Sequence, residues 1–130
     1  MEASLVAYLL AQTSLTDLSG QRITWARRDQ GGALPCIVLH RIDGLRDYHH
    51  AGASGLITSR VQVDCWAATF GAAKGLARAQ EAVVSGGRFT QGAIRFDAIL
   101  IADERDDSDD LNGTPIFRTS LDLMIHHSAA

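Results

Sequence analysis

Two pairs of adjacent histidines are the residues of this sequence whose type best suits metal binding. The pairs are His49 with His50 and His126 with His127. Neighbouring residues of an extended chain point to opposite sides, so each pair offers one ligand at most to a metal ion in a regular strand. Alternatively, two histidines from separate segments could bind one metal ion together with an acidic residue, but no spacing in the sequence supports such a site. We therefore expect solvent-facing histidines in a loop and at the chain end, with no metal and no cofactor.

The peptide from Gly52 to Gly55 contains a serine that superficially resembles a catalytic nucleophile. It lacks the G-x-S-x-G order, and it falls between two predicted strands, whereas a nucleophile elbow requires a turn from a strand into a helix. The sequence has no G-x-x-x-x-G-K-[ST] phosphate-binding loop, and its single lysine, Lys74, lies within a predicted helix. We predict no catalytic residues and a protein that is not an enzyme.

Most of the net charge lies in the octet of residues 103–110. The chain has 12 basic and 15 acidic residues, a formal charge of −3, and the octet holds six of the acids and one arginine, hence −5. Its order differs from that of a calcium-binding loop, so we expect an exposed acidic loop. In a ring of identical subunits, the loop would repeat as a belt of negative charge that repels DNA, at the lumen or one rim. The acids concerned are Asp103, Glu104, Asp106, Asp107, Asp109 and Asp110.

The candidate for nucleic-acid binding is the stretch from Arg22 to Arg28, which also contains Trp25 and Arg27. Eleven of the 12 cations are arginine, a side chain that suits both phosphate contacts and protein interfaces. Such a strand is more often an ordinary exposed face, and a net charge of −3 disfavours a generally basic nucleic-acid binder. A small nucleic-acid-binding α+β module is therefore kept as an alternative.

Hydrophobic periodicity predicts eight elements in the order α-β-β-β-α-β-β-β. Helical spacing marks the residues up to Gly20 and those from Thr69, the predicted N-cap, to Gly86. Alternation predicts strands at residues 22–28, 36–43, 56–67, 88–90, 94–103 and 116–127. The second helix should bury Phe70, Ala73, Leu76, Ala77, Val83 and Val84. Because strands joined by hairpins favour antiparallel pairing, we predict an α+β fold with a mainly antiparallel sheet and two helices on one face.

The second and third predicted strands should pair as a hairpin. A register in which paired positions sum to 103 places Asp43 opposite Arg60 and His40 opposite Val63, on the apolar face. A sum of 101 would place Arg41 opposite Arg60, and directly opposed like charges are unfavourable. The connection from residue 44 to 55 is then a long mobile loop, a kind of loop that often binds a partner. Its candidate interface residues are Arg46, Asp47, Tyr48, His49 and His50.

Length and composition indicate one globular domain, residues 1–130. No apolar run approaches the roughly 20 residues that a membrane span requires, so we expect no membrane partner. Cys36 and Cys65 are 29 positions apart without a C-x-x-C motif, which predicts two buried thiols. The first residues contain Glu2 and no basic residue, unlike a secretory signal, so a cytosolic setting is expected.

One stretch, residues 61–70 with residues 73–77, resembles the signature segment of the phage tail terminator, or tail completion, proteins. These occur in long-tailed phages, prophages and gene transfer agents. Agreement extends over nearly the whole chain and preserves element order; the further matching segments are residues 34–38, 42–44 with Tyr48, 103–106 and 118–125.

The resemblance implies a structural protein of the virion or particle neck without catalytic activity. Such a protein forms a homo-hexameric ring that caps the tail tube, ends tail polymerisation and joins the head connector, while DNA passes through the lumen without sequence-specific binding. Its implied partners are further copies of itself, the major tail tube protein and head-tail connector proteins. The resemblance also implies that the protein assembles in the host bacterial cytoplasm. The nearest alternative function is that of another head-tail connector or minor tail protein.

Overall fold

The computed structural model describes residues 1–26, 33–49, 52–111 and 113–130. Its helices are α1 (Glu2–Leu10), α2 (Thr13–Ser19) and α3 (Phe70–Val84). Its strands are β1 (Ile23–Trp25), β2 (Cys36–His49), β3 (Gly52–Ala67), β4 (Phe89–Gln91), β5 (Ile94–Leu111) and β6 (Thr114–Ala129). The α+β class agrees with the prediction, although this part of the chain has three helices where two were predicted. None of the described helices combines the length and the apolar character needed to cross a bilayer.

The first predicted helix is two helices because the helical ladder breaks at Gln12. The N–H of Gln12 bonds to the carbonyl of Leu9 in a tight turn, and its side-chain amide donates to the carbonyl of Tyr8 at 3.1 Å. Gln12 has φ −90° and ψ 104°, an extended conformation from which α2 begins. The break lets Leu9 and Leu15 both face the core, where each is fully buried.

The six strands form one sheet in the order β1-β2-β3-β6-β5-β4. β2 to β6 pair antiparallel, as predicted, but β1 pairs parallel with β2, with Ile23 opposite Ile37. A prediction based on hairpins alone misses such a parallel pair, because a hairpin joins antiparallel strands.

Two stretches that the sequence assigned to loops are strands. β2 and β3 stay in ladder contact as far as His49 opposite Gly52, and β5 and β6 as far as Leu111 opposite Thr114. The predicted loop at residues 44–55 and the predicted acidic loop are therefore wrong. A continued ladder keeps backbone groups hydrogen-bonded, while exposed polar side chains alternate into solvent.

The register of β2 against β3 changes at a bulge around Ile42. Beyond the bulge Asp43 lies opposite Arg60, as predicted, but before it His40 lies opposite Gln62 and not Val63. His40 consequently lies on the polar face of the sheet, so its predicted place on the apolar face is wrong. The one extra residue in β2 absorbs the shift.

The sheet curls so that both of its edges reach α1, which contacts β1 and β4. Tyr8 of α1 stacks on Phe89 of β4 with ring centroids 3.8 Å apart, and its hydroxyl donates to the carbonyl of Val83 at 2.9 Å. The apolar core lies between the sheet and the three helices. Its fully buried members include Leu5, Leu9, Leu39, Val61, Val63, Phe96, Ile99, Leu121, Leu123 and Ile125.

Local signals explain the bounds of α3. The hydroxyl of Thr69 accepts a hydrogen bond from the N–H of Ala72 at 3.1 Å, which is the predicted N-cap. Gly86, just beyond the helix, has φ 70°, a conformation that glycine adopts without strain. The predicted buried stripe fails at Phe70, which is 51% exposed, and Gln80 is fully buried instead.

The two long hairpins extend from opposite ends of the sheet. β3 pairs with β6 from Ile57 opposite His127 to Ala67 opposite Phe117. The β2–β3 hairpin continues beyond the first of these pairs, and the β5–β6 hairpin continues beyond the second. The fold thus has a two-stranded ribbon at each end.

Candidate functional site

The face of the sheet opposite the helices, here called the outer face, carries rows of side chains across four strands. Since Val63 and Leu121 point into the core, the alternate residues of β3 and β6 point outward. In the strand order β2, β3, β6, β5, the rows are Asp43, Arg60, Met124 and Leu100; His40, Gln62, Asp122 and Asp103; Val38, Asp64, Ser120 and Arg105; and Cys36, Trp66, Arg118 and Asp107.

Asp122 lies at the centre of the outer face and is only 4% exposed. Arg105 binds both of its carboxylate oxygens, at 3.0 and 3.1 Å, and Arg60 binds one at 2.9 Å. These hydrogen bonds, that of Arg105 first, lower the pKa of Asp122. Asp103 also binds Arg105, at 2.9 Å. Ion pairs therefore join β3, β5 and β6 across the face.

Asp64 is the second buried carboxylate of the outer face, at 3% exposure. It accepts hydrogen bonds from the hydroxyl of Ser120 at 2.6 Å and from the amide of Gln62 at 2.8 Å, and the Nε2 of His40 is 3.4 Å away. In a nucleophilic triad the histidine lies between the serine and the acid, and it takes the serine proton. Here the carboxylate lies between them, so the arrangement links strands and provides no activated nucleophile.

The acidic octet divides between the two faces of β5, because alternate residues of a strand point to opposite sides. Glu104 and Asp106 point to the side of α3, where Lys74 binds them at 2.7 and 2.9 Å and Arg78 also binds Glu104. The hydrogen bond with Lys74 is the main cause of the lowered pKa of each carboxyl. Asp103, Asp107 and Asp109 point to the outer side.

Cations from other elements offset part of the charge of the octet. Lys74, Arg78 and Arg118 are the three that bind its acids. Asp109 and Asp110, at the end of the β5–β6 hairpin, have no cation among the described residues. All six acids are exposed in the isolated chain, and the uncompensated charge lies at this hairpin end.

A cavity of about 290 Å³ opens beside that hairpin end. Its lining residues are Trp66, Asp107, Ser108, Asp109 and Arg118. The guanidinium of Arg118 lies over the Trp66 ring, 5.2 Å from its centroid, and binds Asp107 at 2.9 Å. The Nε of Arg118 is buried and has no hydrogen-bond partner among the described residues.

His127 lies on the opposite, helix-covered face and is 3% exposed, so its predicted exposure at the chain end is wrong. Its Nε2 is 2.8 Å from the hydroxyl of Ser59, and burial lowers its pKa. The buried alternation Leu121, Leu123, Ile125 was the signal that pointed to this position. His126 faces the outer side, with its Nδ1 3.0 Å from the hydroxyl of Thr58.

The predicted interface residues of the β2–β3 hairpin are only partly described. Arg46 is exposed and lies opposite Ile57. The backbone of Asp47, Tyr48 and His49 belongs to β2, whereas their side chains and the whole of His50 lie outside the described residues.

The predicted basic stretch does not form an open arginine face where the structure describes it. Trp25 packs against the core, and the Nε of Arg22 donates to the carbonyl of Pro35 at 2.8 Å. Arg27 and Arg28 lie outside the described residues.

The remaining candidates for chemistry are metal ligands and the two thiols. No group of three or more His, Cys, Asp or Glu side chains suited to a metal ion occurs among the residues described. Cys36 and Cys65 are buried thiols, as predicted, and burial raises the pKa of Cys65.

Comparison with known proteins gives one family and one fold. Residues 3–127 match the family model described as tail completion protein gp17. Chains of solved structures are also similar, among them one from the structure titled "Virion of native gene transfer agent (GTA) particle". The TM-score is 0.72 and the identity 20%, over 98% of this chain and 94% of that chain, a level at which the likeness establishes the fold. No curated protein sequence matches the chain.

Proposed function

This chain belongs to the tail completion protein gp17 family, and we propose that it forms a homo-hexameric ring that caps a tail tube, ends tube polymerisation and joins the tail to the head connector. Membership of the family makes it a structural tail protein, as the sequence resemblance predicted, and favours such a role over an enzyme. The proposed partners are other copies of the chain, the major tail tube protein and head-tail connector proteins.

The observation that carries the proposal is the pair of hairpins at opposite ends of one sheet. A terminator must contact two different assemblies, the tube on one side and the connector on the other. The β2–β3 hairpin supplies one projecting ribbon, and the β5–β6 hairpin supplies a second with a different charge. Arg46, Asp47, Tyr48, His49 and His50 are the proposed docking residues of the first ribbon.

The acidic residues of β5 are proposed to lie at the lumen or at one rim of the ring. Asp109 and Asp110 are exposed and have no cation among the described residues, so their charge would repeat with every subunit. A negative wall repels the phosphate backbone, which would let DNA pass without sequence-specific binding. Asp103, Glu104, Asp106 and Asp107 would contribute less, because ion pairs offset their charge.

The proposed setting is a phage-like particle, formed in the bacterial cytoplasm and carrying this protein at its neck. The similar chain from a gene transfer agent particle supports that setting at the level of the fold. A phage, a prophage and a gene transfer agent are all compatible with the family.

The test is to mix the purified full-length chain with tail tubes of the same particle. We expect light scattering to give a mass of six subunits and electron micrographs to show rings at one end of each tube. Tubes should stop growing once they are capped. A protein that stays monomeric at high concentration and on tubes would contradict the proposal. Rings that bind portal or connector proteins but never tubes would instead indicate a connector.

A further inference from the structure

We propose that the cavity beside the β5–β6 hairpin is a socket for an arginine side chain of a second copy of this chain, namely its Arg88. The inference rests on the proposed ring, because a closed ring is built from head-to-tail contacts between two different patches of each subunit. The socket is the first patch, and the edge of the sheet at β4 is the second.

The chemistry of the socket selects a cation. Asp107 already binds Arg118, and Arg118 lies over the Trp66 ring, so these three side chains form one connected wall of the cavity. Asp109 lines the same cavity and has no cation among the described residues. The lining therefore keeps one uncompensated carboxylate, which attracts a guanidinium through charge-assisted hydrogen bonds.

The chain itself presents a suitable arginine. Of the cations in the described part of the chain, all but Arg46 and Arg88 bind a carboxylate or a backbone carbonyl. Arg88 is exposed and immediately precedes β4, the edge strand of the sheet. Arg46 lies opposite Ile57 on the helix-covered face, in the row that contains His127.

A second copy of the chain is favoured over another protein as the occupant, because every subunit of a ring would then provide one socket and one Arg88. The socket lies where β5 and β6 leave the sheet, whereas Arg88 lies beside the opposite end of β5. The two patches are thus separate on one subunit, as a head-to-tail contact requires.

Charge exchange tests the contact in the full chain. At low salt, Asp109→Arg and Arg88→Asp should each weaken subunit association by about tenfold or more, as measured by sedimentation velocity. The double variant carrying both changes should recover most of the loss. Asp17→Arg is the matched control for Asp109→Arg, with the same charge change at an exposed acid of α2, and it should associate as the wild type does. Thermal unfolding should confirm that every variant folds.

Cross-linking tests the geometry without removing either charge. Ser108→Cys lies in the socket lining and Thr90→Cys lies close to Arg88, and the native cysteines are buried. With a short bismaleimide, the protein carrying both cysteines should form a ladder of oligomers, whereas either single variant should stay uncross-linked.

The outcomes separate this inference from the proposed function. A wild-type protein that never assembles contradicts the ring. A ring that forms normally in Asp109→Arg or Arg88→Asp, or that the double variant does not restore, overturns the socket and leaves the ring standing. Loss of tube capping in Asp109→Arg with normal ring assembly would also overturn it, because the tube protein would then be the occupant.

Discussion

Asp122 and His127 are two buried titratable residues of the same strand that lie on opposite faces of the sheet. Asp122 is 4% exposed on the outer face, and His127 is 3% exposed on the helix-covered face. Two arginines lower the pKa of Asp122 and keep it charged, whereas burial lowers the pKa of His127 and keeps it neutral. Pairing thus stabilises the charged form at Asp122, whereas burial favours the neutral form at His127.

The difference follows from the neighbours that each face provides. On the outer face, arginines of β3 and β5 reach Asp122 across the strands. On the helix-covered face, His127 meets the hydroxyl of Ser59 and the ring of Phe96, whose centroid is 6.4 Å away. The charged groups that act on it are the terminal ammonium, Arg41 and Arg46, which oppose its protonation, and Glu2, which favours it.

The largest expected effect is that of Asp122→Asn on stability. The amide keeps the shape of the side chain but offers one acceptor, and its NH₂ group faces an arginine. We expect the free energy of unfolding to fall by about 1–3 kcal/mol, measured by urea denaturation at pH 7. Asp109→Asn, which removes the same charge on the same face where no described cation binds, should change it by less than about 0.5 kcal/mol. Equal losses in both variants would contradict the distinction.

The second effect separates the two faces by pH. The unfolded state takes up a proton at His127 below pH about 6.5 and the folded state resists it, so stability falls as pH drops from about 6.5 towards the lower folded pKa. The contribution of Asp122 persists to lower pH and is lost only below its unfolded value of about 3.8, as pH falls through its depressed folded pKa.

Urea unfolding of the wild type and of His127→Gln between pH 7.5 and 5 measures the first window. His127 changes the free energy of unfolding by at most about 1.4 kcal/mol per pH unit, and the variant should lose this pH dependence. An unchanged slope in His127→Gln would assign the acid sensitivity to another histidine.

The smallest effect concerns the exposed ion pairs between α3 and β5. Lys74→Met removes the cation that binds Glu104 and Asp106. We expect a small decrease in the unfolding midpoint at low salt that disappears at about 1 M NaCl, since screening weakens exposed ion pairs. A decrease as large as that of Asp122→Asn, or one that salt does not alter, would show that these pairs stabilise the fold as strongly as the buried one.

Residue patterns predicted the class of fold and most of its elements. Alternation at Val61, Val63 and Cys65 identified β3 and its buried side, and Thr69 marked the start of α3. The avoidance of opposed arginines gave the pairing of Asp43 with Arg60 correctly. These signals are local, so they can be interpreted without knowing which strands lie next to each other.

The predictions that failed depended on partners distant in sequence. The octet looked like a loop because its composition is acidic, but β6 provides a continuous ladder for it, and α3 and β6 provide cations for it. His40 was assigned to the wrong face because a single-residue bulge at Ile42 changes the register. No local pattern encodes the parallel pairing of β1 with β2.

By itself, the sequence determined the α+β class, the core-facing side of β3, and the resemblance to tail completion proteins, because periodicity and family motifs are carried by consecutive residues. Tertiary structure alone decided how the acidic octet is divided. Strand alternation sends Glu104 and Asp106 to α3 and Asp103 and Asp107 to the outer face. Cations outside the octet bind Glu104, Asp106 and Asp107, and Arg105 within the octet binds Asp103. The uncompensated charge of the octet is therefore confined to Asp109 and Asp110 at the hairpin end. Electrostatic compensation depends on distance in space and not on position along the chain.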